Sequence, residues 1–276
     1  MRLTRSQKIK EFKKLVWNFY HKEGRHDLPW RRTRNPYKIL VSEIMLQQTQ
    51  VARVVEKYSL FLKTFPTISA LADAPLAQVL IVWQGMGYNR RALALHRLAK
   101  EITTSHKGKI PHTRTELEAL TGIGPYTAGA IRAFAFNEPE VFIETNIRRV
   151  FIHHFFPRTK SVSDKEILPL VEKTLDTQNP REWYFALMDY GSHLPKVTKN
   201  PNKKSKHYVK QKKFEGSHRQ LRGRVLKFLH TAGKCTLALC ARTLEITPEK
   251  TQTVLEEFVR EGFIQKNGKN YFIKNS

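Results

Sequence analysis

The chain has 276 residues, of which 40% are apolar, and this is enough for one large or two medium-sized domains. Its 49 Lys and Arg against 24 Asp and Glu give a formal net charge of +25, which predicts a nucleic-acid partner; a merely basic or ribosome-associated protein remains the alternative. No signal peptide or membrane-spanning apolar run is apparent, and Cys235 and Cys240 cannot form a disulfide framework or a four-ligand metal site. We expect a cytoplasmic protein in a reducing compartment.

The first two hundred residues are predicted to be all helical. Prolines in the 28–37 stretch interrupt the helical pattern after the first helix, because they disfavour helix in the residue before them. No strand is predicted before residue 260. Apolar side chains at helical spacing predict helices over 7–22, 37–65, 68–71, 76–83, 89–104, 115–120 and 127–136.

The composition changes at residue 199. Seven of the fifteen residues from 199 to 213 are lysine, which predicts a flexible basic linker extending over 199–217. Three short helices are predicted beyond it, near 225–229 and over 237–244 and 248–261. Asn267-Gly268 between two short apolar runs then favours a type I′ hairpin turn. Three helices and a hairpin predict a winged-helix domain over 218–276.

A glycine-rich segment lies between two predicted helices. It runs from Leu120 to Ala130, and its two glycines, Gly122 and Gly124, allow a tight turn and close approach to another molecule. The amides that open the following helix then point outward at its positive end. We therefore predict a phosphate-holding hairpin, formed by Gly122, Ile123, Gly124, Tyr126 and Thr127.

Seven motifs occur in this chain in one characteristic order. Because of these motifs, residues 28 to about 195 resemble the helix-hairpin-helix DNA glycosylases, and most closely the MutY-type adenine DNA glycosylases. The resemblance implies a mainly α, two-lobed glycosylase fold over 1–198, with a six-helix lobe at about 31–135 and a second lobe of 1–30 and 136–198, followed by the small winged-helix (α+β) domain. The motifs are Leu28-Pro-Trp30, Pro36-Tyr37, the 42–51 stretch SEIMLQQTQV, Gly85-Met-Gly-Tyr88, the Gly122 hairpin, the 145–150 stretch TNIRRV and the 186–191 stretch ALMDYG.

The resemblance assigns the chemistry to four residues. Glu43 would be the general acid that protonates the base, and burial would hold its pKa near neutrality. Glu144 stands where the family has an aspartate that stabilises the cationic sugar, and its carboxylate lies about 1.5 Å further out. A retuned active site, an altered substrate and a weakened enzyme all remain open. Tyr126 replaces the Schiff-base lysine of bifunctional relatives, and Asn146 would orient the water or the carboxylate or cap its helix.

The resemblance also implies how the base is reached. Trp30, Arg31 and Leu46 would line the base pocket, although Trp30 could equally be a core aromatic and Arg31 a phosphate contact. Gln48 and Tyr88 would enter the duplex and fill the space that the flipped base leaves, although Tyr88 could also be a core residue.

Three features depart from the family pattern. The region where most relatives hold an iron–sulfur cluster has no cysteine, so we expect no cluster and no other metal; the hairpin remains a candidate site for a structural monovalent cation. Phe185 replaces a polar residue that helps hold the adenine, which would weaken adenine selectivity. The winged helix replaces the domain that reads oxidised guanine.

The winged helix has two candidate contacts. Its third helix carries a net charge of −2 and is poorly suited to the major groove. The wing (Lys266, Lys269, Lys274) or a protein partner is therefore the predicted contact.

These observations predict a monomeric, nucleoid-associated, monofunctional DNA N-glycosylase of base-excision repair. Its partner would be double-stranded DNA with a mismatched or damaged base, with adenine opposite guanine or 8-oxoguanine as first choice. A glycosylase for uracil or thymine opposite guanine, or for an alkylated purine, is the alternative. A non-catalytic DNA-binding protein is the alternative from a different class.

Overall fold

The computed structural model describes residues 4–210 and 213–273. The basic start of the chain (residues 1–3), part of the predicted linker (211–212) and Lys274 of the predicted wing lie outside the described residues. Within the described part, no helix is long and apolar enough to cross a membrane. The mainly helical fold with a small C-terminal sheet is confirmed.

The chain divides into two compact units. Unit 1 comprises Met1–Glu43, Pro111–Ala119 and Ile123–Lys210, and unit 2 comprises Ile44–Ile110, Leu120–Gly122 and Gln211–Ser276. Of the stretch predicted as a six-helix lobe (about 31–135), residues 31–43, 111–119 and 123–135 fall with unit 1. The winged-helix region falls with residues 44–110.

Unit 1 is built around helices that bury aromatic side chains. Phe12, Phe151 and Trp183 form its centre, with the Phe12 ring centroid 5.4 Å from that of Phe151 and 6.1 Å from that of Trp183. Short 3-10 turns span Pro29–Arg32 and Pro201–Lys204, and a π-helical turn over Arg132–Phe136 extends α8. Its helices are α1 (Arg5–Glu23), most of α2 (Pro36–Leu46), α7 (Arg114–Ala119), α8 (Pro125–Ile131), α9 (Thr145–Phe155), α10 (Asp164–Thr174) and α11 (Pro180–Val197).

The start of the predicted linker is ordered, which corrects the prediction of a flexible segment. Asn202 is buried, and its side-chain amide donates to the carbonyl of Thr145 at 2.8 Å. Ser205 forms a parallel bridge with Val162. Lys204 itself donates to the carbonyl oxygen of Pro157 at 2.6 Å, and the lysine-rich composition gives no sign of such contacts.

The first half of unit 2 contains α3 (Val51–Thr64), α4 (Ile68–Asp73), α5 (Leu76–Trp83) and α6 (Arg90–Ser105). Phe61, Phe65 and Trp83 are fully buried in its core. The helix predicted over 37–65 is in fact interrupted between Leu46 and Val51, where Gln48 has a φ of 54°. The residues that follow this interruption begin a new helix.

The second half of unit 2 has the topology of a winged helix. The elements follow in the order α12 (His218–Ala232), β1 (Lys234–Thr236), α13 (Leu237–Leu244), α14 (Pro248–Glu261), β2 (Ile264–Asn267) and β3 (Asn270–Ile273). The antiparallel sheet has the order β1-β3-β2, with Cys235 opposite Tyr271. Strand β1 contradicts the prediction of no strand before residue 260. The hairpin turn is Gly268-Lys269, one residue later than predicted, because Asn267 pairs with Asn270.

Candidate active site

Glu43 lies in the apolar half of α2 and is 5% exposed. Its neighbours along the helix, from Leu40 to Met45, are buried, so the carboxyl is removed from water with them. The phenol of Tyr126, in the first turn of α8, donates to Oε2 of Glu43 at 2.7 Å. The structure thus joins the predicted acid to the predicted hairpin tyrosine.

Burial is the main cause that raises the pKa of Glu43 to about 7; the hydrogen bond from Tyr126 opposes this rise, and the negative charge of Glu144 contributes to it. Burial and the two nearby carboxylates also hold the pKa of Tyr126 well above its ordinary value, so the phenol keeps its proton. A carboxyl with a pKa near 7 is substantially protonated at neutral pH, which is the state a general acid requires.

Glu144 caps the N-terminus of α9. One carboxylate oxygen accepts from the backbone amides of Asn146 at 2.7 Å and Ile147 at 2.8 Å. The other oxygen accepts from the side-chain amide of Asn146 at 3.2 Å. Burial raises the pKa of Glu144, and the two amides and the charge of Arg149 oppose that rise.

Asn146 is the second helical residue rather than the cap. Its side-chain oxygen accepts from Arg149 at 2.8 Å, and Arg149 also donates to the carbonyl of Gly191 in α11 at 2.6 Å. A Cβ on Gly191 would lie 2.3 Å from the carbonyl oxygen of Asn146, so only glycine permits this packing. Arg149 therefore fixes the orientation of Asn146, a role that sequence reasoning missed although Arg149 lies in the 145–150 motif.

The hairpin has the backbone that its sequence predicts. Gly122 has a φ of 83°, and Gly124 is the N-cap of α8, with Pro125 as its first residue. Gly124 is exposed, and a Cβ there would meet no atom within 4 Å, so nothing inside the protein requires a glycine. Ile123 and Thr127 are buried and anchor the turn from within. The exposed amide end of α8 is open to an anion.

Arg31 and Phe185 form a cluster with Asp189. The Arg31 side chain is 5% exposed and donates to both carboxylate oxygens of Asp189 at 2.6 and 2.8 Å. Its guanidinium lies 4.4 Å from the centroid of the Phe185 ring, which is stacked on Phe134 at 4.7 Å. Trp30 is buried in the same unit. These partners are inside the protein, and a contact of Trp30, Arg31 or Phe185 with a base stays a prediction.

The predicted intercalating residues lie in unit 2 on two short loops. Gln48 is exposed with a φ of 54°, and Tyr88 is half-buried with a φ of 47°. Left-handed backbone is uncommon for residues with a side chain and marks positions that the surroundings fix. Leu46, the last residue of α2, is half-buried immediately before the first loop.

Arg91 holds both loops, and sequence reasoning missed it. Its guanidinium lies 5.6 Å from the centroid of the Tyr88 ring, and burial lowers its pKa to about 10. One arginine thus ties the Gln48 loop to the Tyr88 loop. Its five acceptors, at 2.8–3.3 Å, are the hydroxyl of Thr49 and the carbonyl oxygens of Ile44, Met45, Met86 and Gly87.

Among the described residues, no group of three or more His, Cys, Asp or Glu side chains could hold a metal ion. The two cysteines, Cys235 and Cys240, are buried free thiols in the winged-helix region. The expectations of no iron–sulfur cluster and of a monovalent cation at the hairpin stay predictions.

Residues 41–175 match the HhH-GPD superfamily, described as base excision DNA repair proteins. The chain is 38% identical over 214 residues to an adenine DNA glycosylase of Buchnera aphidicola subsp. Baizongia pistaciae, which covers 74% of this chain and 60% of the relative. It is 38% identical over 176 residues to an adenine DNA glycosylase of Mycolicibacterium smegmatis, which covers 63% of this chain and 60% of that relative.

Solved structures show the same fold. A thermostable thymine-DNA glycosylase superposes with a TM-score of 0.63 at 25% identity, over 72% of this chain and 93% of that chain. A non-covalent endonuclease III–DNA complex gives a TM-score of 0.60 at 21% identity, over 71% of this chain and 89% of that chain, and this shows the fold alone. The chain spans about 60% of the length of the curated relatives first matched. Over residues 41–175 the chain is thus similar to the HhH-GPD superfamily of base excision DNA repair proteins, and among the relatives reported it is similar to adenine DNA glycosylases.

Proposed function

We propose that this protein is a DNA N-glycosylase of base-excision repair that extrudes a base from duplex DNA and hydrolyses its N-glycosidic bond. Adenine mispaired with guanine or 8-oxoguanine is its first substrate. Similarity to adenine DNA glycosylases of bacteria and of the rat supports the choice of base. The net charge of +25 supports duplex DNA as the partner and a place on the chromosomal DNA of the cell.

The protonated state of Glu43 carries the proposal. A carboxyl with a pKa of about 7, 5% exposed, can donate a proton to a purine ring nitrogen at neutral pH. Protonation turns the base into a better leaving group. The hydrogen bond from Tyr126 fixes one oxygen of Glu43, which orients the remaining oxygen for the transfer.

Glu144 supplies negative charge as the sugar becomes cationic. Two backbone amides and the Asn146 side chain hold its carboxylate in place before the substrate binds. Such preorganised charge stabilises an oxocarbenium-like transition state without reorganisation during the reaction. A water molecule then attacks the sugar, oriented by Glu144 and Asn146.

The reaction stops at an intact abasic site. Tyr126 occupies the hairpin position and donates its proton to Glu43, so that position offers no amine for attack on the sugar carbon. Hydrolysis without strand cleavage follows, and no iron–sulfur cluster takes part. An ultraviolet-visible spectrum with a cluster band, or trapping of the wild-type protein on DNA by borohydride, would contradict this proposal.

Single-turnover base release on a panel of duplexes tests the activity. The panel places adenine, uracil, thymine, hypoxanthine and alkylated adenine opposite guanine, 8-oxoguanine and a correct partner. We expect release of adenine, with strands that break only after alkali. Glu43→Gln should lower the rate by at least about 100-fold and leave duplex affinity unchanged, because general-acid catalysis is lost without a change in the DNA-binding surface. Base release by the variant at the wild-type rate would remove Glu43 from the acid role.

A glycosylase for thymine or uracil opposite guanine is the second candidate. The fit to a thymine-DNA glycosylase over 93% of that chain and the apolar Phe185 favour it. Release of thymine or uracil and not adenine on the same panel would select it. Salt-sensitive duplex binding without release of any base would instead make the protein a non-catalytic DNA-binding protein.

A further inference from the structure

Unit 2 encloses a cavity of about 750 Å³ between α12 and the loops that carry Gln48 and Tyr88. Both predicted intercalating residues line it, and the winged-helix region forms its other wall. Six cationic side chains contribute to the lining: Arg53, Arg90, Arg91, Arg219, Arg222 and Lys227.

One face of α12 is turned to this cavity. Arg219, Gly223 and Lys227 are spaced four residues apart and therefore lie in one row along the helix. At the start of the row, Arg219 donates to the hydroxyl of Tyr88, and its guanidinium lies 5.1 Å from the Tyr88 ring centroid. At the other end, Lys227 is exposed. Helix α12 thus connects the winged-helix region to the loop that carries Tyr88.

Two of the four carboxylates of α14, Glu257 and Glu261, are engaged inside the protein, whereas Glu249 and Glu256 are exposed. Glu261 accepts from Arg90 at 2.5 and 2.9 Å and from Arg222 at 2.7 and 3.1 Å. Glu257 accepts from Arg222 and from His218, the latter at 2.8 Å. This network directs the acidic end of α14 toward α12 and α6. It leaves the exposed side chains of Arg53 and Lys227 as positive charge at the cavity.

No packing contact inside the protein requires a glycine at position 223. It lies in the middle of α12, where glycine is less favourable than alanine, and a Cβ there would meet no atom within 4 Å. A glycine on an exposed helix face of this kind permits close approach of another backbone. The position lies between Arg219 and Lys227 in the row that faces the cavity.

We infer that α12 is a DNA-contacting element, and that the cavity receives the sugar–phosphate backbone of one DNA strand at the step that Gln48 and Tyr88 enter. The inference rests on the proposed function, because it takes Gln48 and Tyr88 as the residues that enter the duplex. Phosphates would lie against Arg219 and Lys227 and pass closest at Gly223. The winged helix therefore binds DNA through its first helix and not through the wing.

Two double variants of equal charge change test the inference. Arg219→Gln with Lys227→Gln alters α12, and Lys266→Gln with Lys269→Gln alters the wing as the matched control. The probe is a duplex with a tetrahydrofuran abasic-site analogue opposite guanine, so that binding does not depend on base release. We expect the α12 variant to lose on the order of tenfold in affinity at physiological salt and its salt slope to fall by about 2, roughly 0.9 per lost phosphate contact.

The wing variant should bind like the wild type. A loss confined to the wing variant, no loss in either variant, or equal losses in both would overturn the inference. Failure of the proposed function would give a different result. The protein would release no base, while the α12 variant would still lose affinity and the wing variant would still bind like the wild type.

Gly223→Leu provides a second test that separates folding from binding. Leucine has a higher helix propensity than glycine and meets no internal atom at its Cβ, so the melting temperature should rise by a few degrees. Affinity for the abasic-analogue duplex should nevertheless fall about tenfold, because the side chain fills the path of the strand. Unchanged affinity in a folded Gly223→Leu protein would overturn the inference.

Uncharged methylphosphonate linkages, placed in one strand at a time, identify the strand that α12 contacts. In that strand they should weaken binding by the wild type but not by the α12 variant, whereas in the other strand they should weaken both proteins equally. Equal weakening of both proteins whichever strand is modified would overturn the inference.

Discussion

Asp189 and Glu43 are both buried carboxyls of unit 1, and their surroundings push their pKa values in opposite directions. Burial alone would raise the pKa of Asp189, but the hydrogen bonds and charge of Arg31, with those of Arg25, hold it below its ordinary value. Glu43 is buried like Asp189, but its neighbours are the phenol of Tyr126 and the carboxylate of Glu144 rather than arginines. Its pKa rises to about 7.

The comparison separates a carboxyl that holds the fold together from one that is available for chemistry. Asp189 is an anion at neutral pH and joins the 3-10 turn at Arg31 to α11. At neutral pH, Glu43 is present in both its protonated and its ionised form. Because the side chain is buried, ionising it lowers the stability of the folded protein. The following five substitutions test this distinction, beginning with the largest expected effect.

Asp189→Asn should lower the free energy of unfolding by about 3–5 kcal/mol, because it leaves the buried Arg31 guanidinium without its anion. Denaturant unfolding at pH 7 measures the change. A loss below about 1 kcal/mol would mean that Asp189 contributes little more than a surface ion pair.

Glu43→Gln should raise stability at high pH. The folded protein binds its extra proton between pH 4.5, the ordinary pKa of glutamate, and about 7, so the wild type loses stability as pH rises through that window. A neutral amide removes the loss, and the variant should be more stable by up to about 3 kcal/mol at pH 8, at roughly 1.4 kcal/mol per pKa unit. Unfolding at pH 4.5 is the control, where the two proteins should differ little.

Tyr126→Phe should cost about 1.5 kcal/mol and move the pH profile. The hydrogen bond from Tyr126 lowers the pKa of Glu43, so its removal raises that pKa further. The descending limb of base release, expected near pH 7 in the wild type, then moves to higher pH. Single-turnover rates between pH 5 and 9 measure it, and a shift to lower pH would contradict the assignment.

Glu144→Ala should cost about 1 kcal/mol through loss of the α9 cap. It also removes a negative charge that raises the pKa of Glu43, so the remaining activity should decline at lower pH than in the wild type. The two variants at the site thus shift the pH profile in opposite directions. Shifts of the same sign would show that Glu43 does not set the profile.

Glu261→Gln should cost about 1 kcal/mol or less, although Glu261, like Asp189, is held by two arginines. The difference lies in what each substitution leaves behind, because the Arg90 side chain is 71% exposed and Arg222 keeps its pairing with Glu257, whereas Arg31 is 5% exposed. Thermal unfolding of the two carboxylate variants under one condition gives the comparison directly. Equal losses would show that burial does not distinguish them.

The regular helices could be predicted because their signals are local. For α14, the sequence predicted both ends correctly, since Pro248 opens the helix and Gly262 ends it with a φ of 83°. Strand β1 was missed because three residues with a single buried side chain, Cys235, carry no periodicity. The interruption after Leu46 was missed because the local sequence pattern does not reveal its cause. Arg91, more than forty residues later in the chain, donates hydrogen bonds to the carbonyl oxygens of Ile44 and Met45.

The site could be predicted as far as the family motifs extend. The structure brings Glu43 and Tyr126 into contact and joins Glu144 to Asn146, and all four lie in motifs quoted from the sequence or just beside them. The partner of Arg31 could not be predicted, since Asp189 lies 158 residues away and pairs with it only through the packed fold. The roles of Arg91 and α12 likewise depend on contacts between distant segments.

The left-handed backbones of Gln48 and Tyr88 have a consequence for how the protein would search DNA. Each conformation costs on the order of 1–2 kcal/mol, and hydrogen bonds from Arg91 to both loops hold them within the protein. Under the proposed function, the backbone of these two residues needs no rearrangement when it meets each new base pair. The speed of scanning is then limited by how readily the duplex opens, so weakly stacked mismatches are interrogated faster than paired sequence.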